Sequence, residues 1–173
     1  MVRIGVVSLG PLPLLFVCSL ADWRIRSAVA GDFPSVLELW ADAAGPTGLP
    51  ETSERLTTLA RTDPEALLVA ESEGVLVGAL IAAWDGWRGS FYRLAVRSDW
   101  RRRGLARALL REGERRLGER GAVRLTAIVA DDDPVAISFW SALGYRRQDR
   151  RARFIRHLAE GAAPWPDDRP GEA

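Results

Sequence analysis

The 173-residue sequence contains no lysine and no asparagine, and its only glutamine is Gln148. All 24 basic side chains, apart from histidine, are therefore arginines. An arginine at a given position is then only weak evidence that its forked hydrogen-bond donors are needed there to bind an anion. This bias is typical of GC-rich coding and suggests a bacterial source. With 23 acidic residues the net charge is only +1, which argues against binding nucleic acid or a membrane as a polycation.

Cysteine and histidine are almost absent, which excludes several kinds of site. The single cysteine, Cys18, excludes a disulfide within the chain, and the single histidine, His157, supports neither a zinc cluster nor a catalytic triad. The apolar run over residues 11–20 is too short and too proline-broken to span a membrane. It has some features of a secretory signal, but we expect residues 1–22 to be a dispensable extension of a cytoplasmic protein.

Hydrophobic periodicity predicts one α/β domain over residues 23–158 and a disordered, Pro- and Gly-rich tail over residues 159–173. The predicted order is β-α-α-β-β-β-α-β-α-β, an antiparallel meander followed by a crossover to a mixed sheet. Strands are predicted at 23–28, 66–71, 75–84, 90–96 and, buried, at 123–130, with one or two more after Tyr145, the last near 152–158. Helices are predicted after the cap at Gly31-Asp32, from Thr52 or Ser53 to about 61, over 104–120, and from Pro134 to Gly144.

The most informative stretch runs from Leu94 to Leu110, where a strand leads through an arginine-rich turn directly into a helix. A helix start presents free backbone N–H groups and the positive end of the helix dipole. Gly104 allows a ligand to approach the backbone closely, and Arg101, Arg102 and Arg103 add positive charge. The stretch therefore predicts a site for a phosphate-rich ligand.

Residues 101–106, Arg-Arg-Arg-Gly-Leu-Ala, match the signature R/Q-x-x-G-x-G/A of the GNAT acetyltransferases. The strand Leu94-Ala-Val96 precedes the signature, and the segments Asp133-Pro-Val-Ala136, Phe139-Trp140 and Leu143-Gly-Tyr145 follow in the family's order. Over roughly residues 23–158 the sequence thus resembles this family. The finer similarity is to single-domain bacterial members of the RimI-like and YpeA-like kind.

The resemblance implies the GNAT fold, a central mixed sheet of six to seven strands flanked by about four helices. It also implies an N-acetyltransferase that moves an acetyl group from acetyl-CoA, without a metal, to a primary amine of a small molecule or protein by direct attack. The implied oligomeric state is a monomer or homodimer. The residues implied for acetyl-CoA binding are Leu94, Ala95, Val96, Arg101, Arg102, Arg103, Gly104, Leu105, Ala106, Asp133 and Trp140.

Catalytic residues do not carry over from the RimI-like members. Trp140 occupies the position of their general-acid tyrosine, and Ile128 that of their strand glutamate. Tyr92 is a candidate proton donor and Asp85 a candidate base, although an Asp-Gly pair also suits a turn. Weaker candidates are Glu38, Glu71 and Tyr145.

Three tryptophans, Trp40, Trp84 and Trp87, either line an acceptor pocket or belong to the core. Two other functions stay open at this stage. One is a non-catalytic, acyl-CoA-binding regulatory domain, which the missing tyrosine and glutamate favour. The other is nucleic-acid binding through the arginine-rich helix, which the interleaved glutamates disfavour.

Overall fold

The fold is taken from a computed structural model, which describes residues 23–43, 51–152 and 154. Its strands are β1 (Arg24–Ser27), β2 (Leu67–Ser72), β3 (Val75–Trp84), β4 (Arg88–Val96) and β5 (Arg124–Ala127). Its helices are α1 (Phe33–Ala43), α2 (Ser53–Thr62), α3 (Leu105–Glu119) and α4 (Pro134–Ala142), with short 3₁₀ turns at Ala30–Asp32 and Ser98–Trp100. Within these ranges no helix is long and apolar enough to cross a membrane.

The strands form one sheet in the order β1-β2-β3-β4-β5. Strands β1 to β4 are an antiparallel meander, and α3 crosses over to bring β5 parallel to β4. The predicted meander, crossover and α/β class are confirmed. The predicted Thr52 cap of α2 is also confirmed, because its side chain accepts the Arg55 N–H at 3.3 Å.

The strand predictions after residue 122 need correction. The described residues hold five strands rather than six or seven, and residues 145–152 form none. The last predicted strand, near 152–158, lies almost wholly outside the described residues. The strand predicted as buried over 123–130 spans only Arg124–Ala127, and Val123 and Ile128 beyond its ends are 82% and 57% exposed. Its aliphatic composition suggested burial on both faces, but within the described sheet β5 is an edge strand with one covered face.

Two helical layers cover opposite faces of the sheet. Helices α1 and α2 pack Phe33, Val36, Trp40 and Leu56 against one face. On the other face, Leu105, Leu109, Leu110 and Leu117 of α3 pack with Leu80 and Phe91. Gly113 lets α3 lie close to the sheet, since a Cβ there would be 2.8 Å from the Phe91 ring. The face of α3 turned toward the sheet thus carries the buried residues Leu105, Leu109, Leu110, Gly113 and Leu117.

The C-terminal half of α3 is anchored by arginines. Arg116 Nε donates to Glu112 at 2.8 Å, and its Nη1 reaches Ser27 Oγ at 2.7 Å and the Glu65 carbonyl at 3.3 Å. Arg120 Nη1 donates to Asp63 at 2.7 Å. These contacts tie α3 to β1 and to the loop after α2, and so fix where its opposite, N-terminal end lies. The ion pairs Glu112–Arg116 and Arg115–Glu119, each four residues apart, lie along the same helix.

Candidate active site

Strands β4 and β5 separate partway along the sheet. Their register runs from Arg88 opposite Arg124 to Phe91 opposite Ala127, where the pairing ends. Strand β4 continues to Val96. Residues 92–96 therefore pair with no neighbouring strand on this edge among the described residues. An unpaired strand edge presents peptide groups to a ligand. We call this gap the β4–β5 opening.

A β-bulge on β4 lies at the opening. Ala79 pairs with Ala95 and Ile81 with Tyr92, so two residues of β4, Arg93 and Leu94, oppose one residue of β3. Arg93 has a φ of 54°, in the left-handed region that non-glycine residues seldom adopt. Such a conformation costs about 1–3 kcal/mol and is concentrated at functional sites. The bulge bends β4 where it leaves β5.

The side chain of Arg93 turns back toward the α1–α2 layer. Its guanidinium pairs with Glu51, just before α2, and lies over the Trp40 ring at 5.9 Å from the ring centroid. These contacts hold the strained residue in place. They also place Trp40, which is 2% exposed, in the core rather than on an acceptor pocket wall.

Beyond the bulge, alternate residues of β4 direct their peptide groups into the opening. The Arg97 N–H donates to the Val77 carbonyl of β3 at 3.0 Å. Because peptide groups alternate between the two edges of a strand, those of Val96 and Leu94 point to the other edge. The Val96 carbonyl accepts Arg101 Nε from that side at 3.2 Å. Ala95 is 5% exposed and packs under α1.

The predicted anion cradle lies where β4 meets α3. Gly104 is the N-cap of α3, with φ 85° and ψ 0°, and no side chain caps the helix. The first bond of the helix runs from the Ala108 N–H to the Gly104 carbonyl, which leaves the N–H groups of Leu105, Ala106 and the residue after them to a ligand. A Cβ added to Gly104 would meet no atom within 4 Å, so the space before the helix is open.

The three arginines of the cradle have different surroundings. Arg101 is tied to the end of β4 through the Val96 carbonyl. Arg102 is exposed, with a φ of 64°. Arg103 lies over the Trp100 ring at 4.8 Å, and Trp100 packs edge-to-face on Trp23. Only Arg102 combines full exposure with a side chain that has no partner among the described residues.

Helix α4 flanks the opening on the α3 side. The Asp133 carboxylate caps α4 by accepting the Ala136 N–H at 2.8 Å. Trp140 lies 6.1 Å from Phe91 and 4.8 Å from Tyr145, measured between ring centroids. Trp140 thus stands beside the last paired rung of β4 and β5, and Asp133 fixes the helix that carries it.

The two catalytic candidates lie apart, with Tyr92 in the middle of β4 and Asp85 before its first residue. Tyr92 follows the last paired rung and is 44% exposed. It pairs with Ile81, which packs toward α1, so Tyr92 projects on the face away from α3. Asp85 lies in the turn before β4 and binds Arg88, which is four residues, about 13 Å of strand rise, from Tyr92. Asp85 stays a prediction as a base, but it is remote from the opening.

The Asp85 carboxylate is already occupied. It accepts the Arg88 N–H at 2.8 Å, the Trp87 N–H at 3.2 Å and Arg88 Nε at 2.9 Å. Desolvation opposes the charged form, but these hydrogen bonds from Arg88 and Trp87 outweigh it and hold the pKa of Asp85 below its usual value. A lowered pKa weakens a general base, so these contacts fit the turn role.

The weaker candidates also have other partners or places. Tyr145 donates to Glu114 of α3 at 2.7 Å, and burial together with this bond raises the pKa of Tyr145 well above its ordinary value. Glu71 is paired with Arg26 at 2.7 Å. Glu38 lines an open depression of about 450 Å³ between α1 and the β2–β3 turn, which Arg97 also lines.

Sequence reasoning missed three features of the site. The bulge at Arg93 contains no glycine that would have indicated it in the sequence. The end of β4–β5 pairing has no local marker. A hydroxyl pair, Ser90 and Thr126, joins the strands across 36 positions of sequence. Among the described residues there is no group of three His, Cys, Asp or Glu side chains arranged to hold a metal.

Comparison with known proteins agrees with this geometry. Residues 33–145 match the acetyltransferase (GNAT) family. An acetyltransferase from Yersinia enterocolitica is 38% identical over 128 residues, which cover 73% of this chain and 89% of that protein. Among solved structures, Ard1 from Thermoplasma volcanium aligns with a TM-score of 0.62 and 25% sequence identity. The alignment covers 71% of this chain and 82% of the Ard1 chain. The ribosomal-protein-S18-alanine N-acetyltransferase of Escherichia coli has the same fold, with a TM-score of 0.59 and 24% sequence identity. This alignment covers 70% of this chain and 76% of the Escherichia coli chain.

An open strand edge that leads into an uncapped, glycine-started helix defines this molecule as an acyltransferase of the α/β class. The chain belongs to the acetyltransferase (GNAT) family, and it is an enzyme that transfers acetyl groups to amines. The predicted GNAT resemblance is confirmed.

Proposed function

We propose that the donor is acetyl-CoA, that the acceptor is a primary amine, and that the two meet at the β4–β5 opening. The observation that carries this proposal is the continuity of the open β4 edge with the cradle. The Val96 peptide group and the N–H groups of Leu105 and Ala106 lie within one short stretch of chain, joined by the Arg101–Val96 bond. The pantetheine arm of CoA is extended, contains amides and ends in a pyrophosphate. The arm therefore matches the open β4 edge, and the pyrophosphate matches the cradle.

In this arrangement the peptide groups of Leu94 and Val96 bind the pantetheine arm as an added strand would. The N–H groups after Gly104 bind the pyrophosphate, and Arg101 to Arg103 supply charge around it. Trp140 packs against the arm from the α4 side, and Asp133 acts indirectly by fixing α4. Ala95 faces the core and supports the strand.

The proposed reaction is direct acyl transfer. The neutral amine nitrogen attacks the thioester carbonyl carbon, so that a C–N bond forms as the C–S bond breaks. The amine loses its proton to solvent, and the departing thiolate receives one, which gives an amide and free CoA. Bringing donor and amine together in the opening supplies much of the rate through orientation.

Tyr92 is the proposed proton donor to the thiolate. It is the first β4 residue past the last rung paired with β5, and its side chain is partly exposed. A phenol at this point reaches the reacting atoms from the face opposite α3. General acid catalysis of this kind contributes about 10²–10⁴ in rate.

We further propose that the enzyme works in the cytoplasm, where its thioester donor is made, as a monomer or homodimer. Trp140 and Ile128 replace a tyrosine and a glutamate expected of RimI-like members, so we do not extend to this chain the acceptor named for the Escherichia coli protein. The acceptor class is set by other residues of the opening.

The test is release of free thiol from acetyl-CoA in the presence of a panel of primary amines, with acetyl-CoA binding measured separately by calorimetry. Turnover that rises with at least one amine supports the proposal. Binding of acetyl-CoA with no amine-dependent turnover would instead favour the non-catalytic regulatory function. Absence of binding would refute the assignment of the cradle.

A further inference from the structure

The face of β4 and β5 turned away from α3 carries an unusual pair of like charges. Arg88 and Arg124 lie directly opposite each other in the β4–β5 register. Both side chains are on this face, because the residues that alternate with them, Gly89 and Leu125, pack against Leu117 of α3. Like charges directly opposite on adjacent strands destabilise a sheet.

Among the residues that the structure describes, a single carboxylate contacts this arginine pair. Arg88 donates its Nε to Asp85 at 2.9 Å, and its guanidinium lies 5.4 Å from the centre of the Trp87 ring. Arg124 is exposed and has no ion-pair or hydrogen-bond partner in the part of the chain that the structure describes. Asp85 pairs with Arg88 alone, so the positive charge of Arg124 is not balanced by a described carboxylate, and an anion would relieve the repulsion of the pair.

The same face leads from the arginine pair to the reaction centre. Ser90 and Thr126 form the next rung that faces this way, with their hydroxyl oxygens 2.9 Å apart. Tyr92 follows at the edge of the opening. The path from Arg88 to Tyr92 spans four residues, about 13 Å by strand rise. It is polar throughout, and no acidic side chain of β4 or β5 lies along it.

We infer that the arginine pair, Arg88 and Arg124, is an acceptor subsite that selects amines bearing a carboxylate or phosphate on the same molecule, within about 13 Å of the amine. This inference rests on the proposed function, because it assigns the amine end of the acceptor to the opening beside Tyr92. The Ser90–Thr126 hydroxyls lie under the middle of such an acceptor. The shared chemistry is an amine with a distal anion, whether it is a peptide or a small molecule.

The test compares acceptors that differ only in charge. One arm uses the C-terminally amidated peptides Ala-Ala-Glu and Ala-Ala-Gln, and the other uses 6-aminohexanoate and 6-aminohexanamide. At saturating acetyl-CoA we expect kcat/KM to be at least about tenfold higher for the acidic member of a pair, since hydrogen bonds to charged groups are worth that much. The arm with the larger ratio identifies the source, peptide or small molecule.

Variants connect the preference to the arginine pair. Arg88→Gln and Arg124→Gln should reduce it to less than about twofold while acetyl-CoA affinity stays unchanged, and Arg124→Glu should favour an Ala-Ala-Arg amide instead. Arg61→Gln, which removes an exposed arginine of α2, is the matched control and should retain the preference. Equal rates for acidic and neutral acceptors, or a preference that survives in both glutamine variants, would overturn the inference and leave the proposed function intact. Failure of every amine, charged or neutral, would instead refute the proposed function.

A second measurement does not depend on activity. Because the pair is repulsive, Arg124→Gln should unfold at the same temperature as the parent protein or at a higher one. A clear drop in its unfolding temperature would mean that Arg124 stabilises the fold, and would contradict an anion subsite at the arginine pair.

Discussion

The hydroxyl oxygens of Ser90 and Thr126 lie 2.9 Å apart across β4 and β5, one rung before the last rung that the two strands share. Thr126 Oγ1 donates to the Gly89 carbonyl at 3.3 Å, which leaves Ser90 as the donor between the hydroxyls. This bond joins β4 and β5 just before their pairing ends. It therefore helps to set where the β4–β5 opening begins.

A double-mutant cycle measures this bond. Ser90→Ala and Thr126→Val each remove one hydroxyl, and urea unfolding of the two single variants and the double variant gives their coupling free energy. We expect about 0.5 kcal/mol, as for other cross-strand hydroxyl pairs. Additive effects, with no coupling, would show that the two hydroxyls do not interact in solution.

Gly104 is predicted to be essential for the donor but not for the fold. Gly104→Ala places a methyl group in the open space before α3 and should weaken acetyl-CoA binding at least about tenfold in calorimetry. The substitution also strains a residue at φ 85°, by about 1 kcal/mol.

The control for that strain is Gly121→Ala, past the other end of α3. Gly121 has a φ of 87° and also has no atom within 4 Å of a built Cβ. Both variants should lose similar stability, and only Gly104→Ala should lose affinity. Equal affinities for acetyl-CoA in the two variants would contradict the cradle.

Tyr92 and Tyr145 allow a comparison of two phenols. Tyr92→Phe removes the proposed proton donor and should lower kcat at least about tenfold with little change in acetyl-CoA affinity. Tyr145→Phe breaks the bond to Glu114 and should instead cost about 1 kcal/mol of stability with kcat largely retained. Full kcat in Tyr92→Phe across pH would exclude its role as the acid.

Glu112 is predicted to make the stability of α3 depend on acid pH. Hydrogen bonds from Arg115, against a desolvation penalty and with help from Arg116, lower the pKa of Glu112 from 4.5 to about 2. Because the folded pKa is the lower one, this stabilisation is present above pH 4.5 and is lost as pH falls toward 2. Thermal unfolding of Glu112→Gln should therefore vary less steeply with pH in that window.

The matched variant is Glu65→Gln, whose exposed side chain has no partner in the described ranges. It should keep the parent's pH dependence. Identical slopes for the parent and Glu112→Gln between pH 2 and 4.5 would mean that the Glu112 ion pairs do not persist in solution.

Much of the fold was predictable because its signals are local. The 3.6-residue spacing of leucines in α3, the Thr52 cap and the turns around residues 73–74 and 85–86 all act within a few residues. The strands after residue 122 were predicted less well. Their burial depends on which elements lie beside β5. An aliphatic segment has the same sequence pattern at the edge and in the centre of a sheet, so the pattern does not distinguish the two positions.

The candidate site divides in the same way. The cradle was predictable because a glycine and a helix start determine it by themselves. Asp85 was a catalytic candidate in sequence, but its three hydrogen bonds within the turn form only once the β3–β4 turn closes. Trp40 was a candidate for the acceptor pocket, and its burial under Arg93 depends on packing between α1 and β4.

By itself, the sequence determined the order of elements, the amphipathic face of α3 and the glycine at which α3 begins, where the anion cradle is proposed. Each is encoded within one or two turns of chain, where backbone geometry and periodicity act directly. Only the tertiary structure decided where β4 leaves β5, that Arg93 bulges there, and that Arg88 faces Arg124. The first and last of these depend on register between segments more than 30 residues apart, and the bulge depends on the pairing of β4 with β3. Contacts between strands settle both, and no local pattern specifies them.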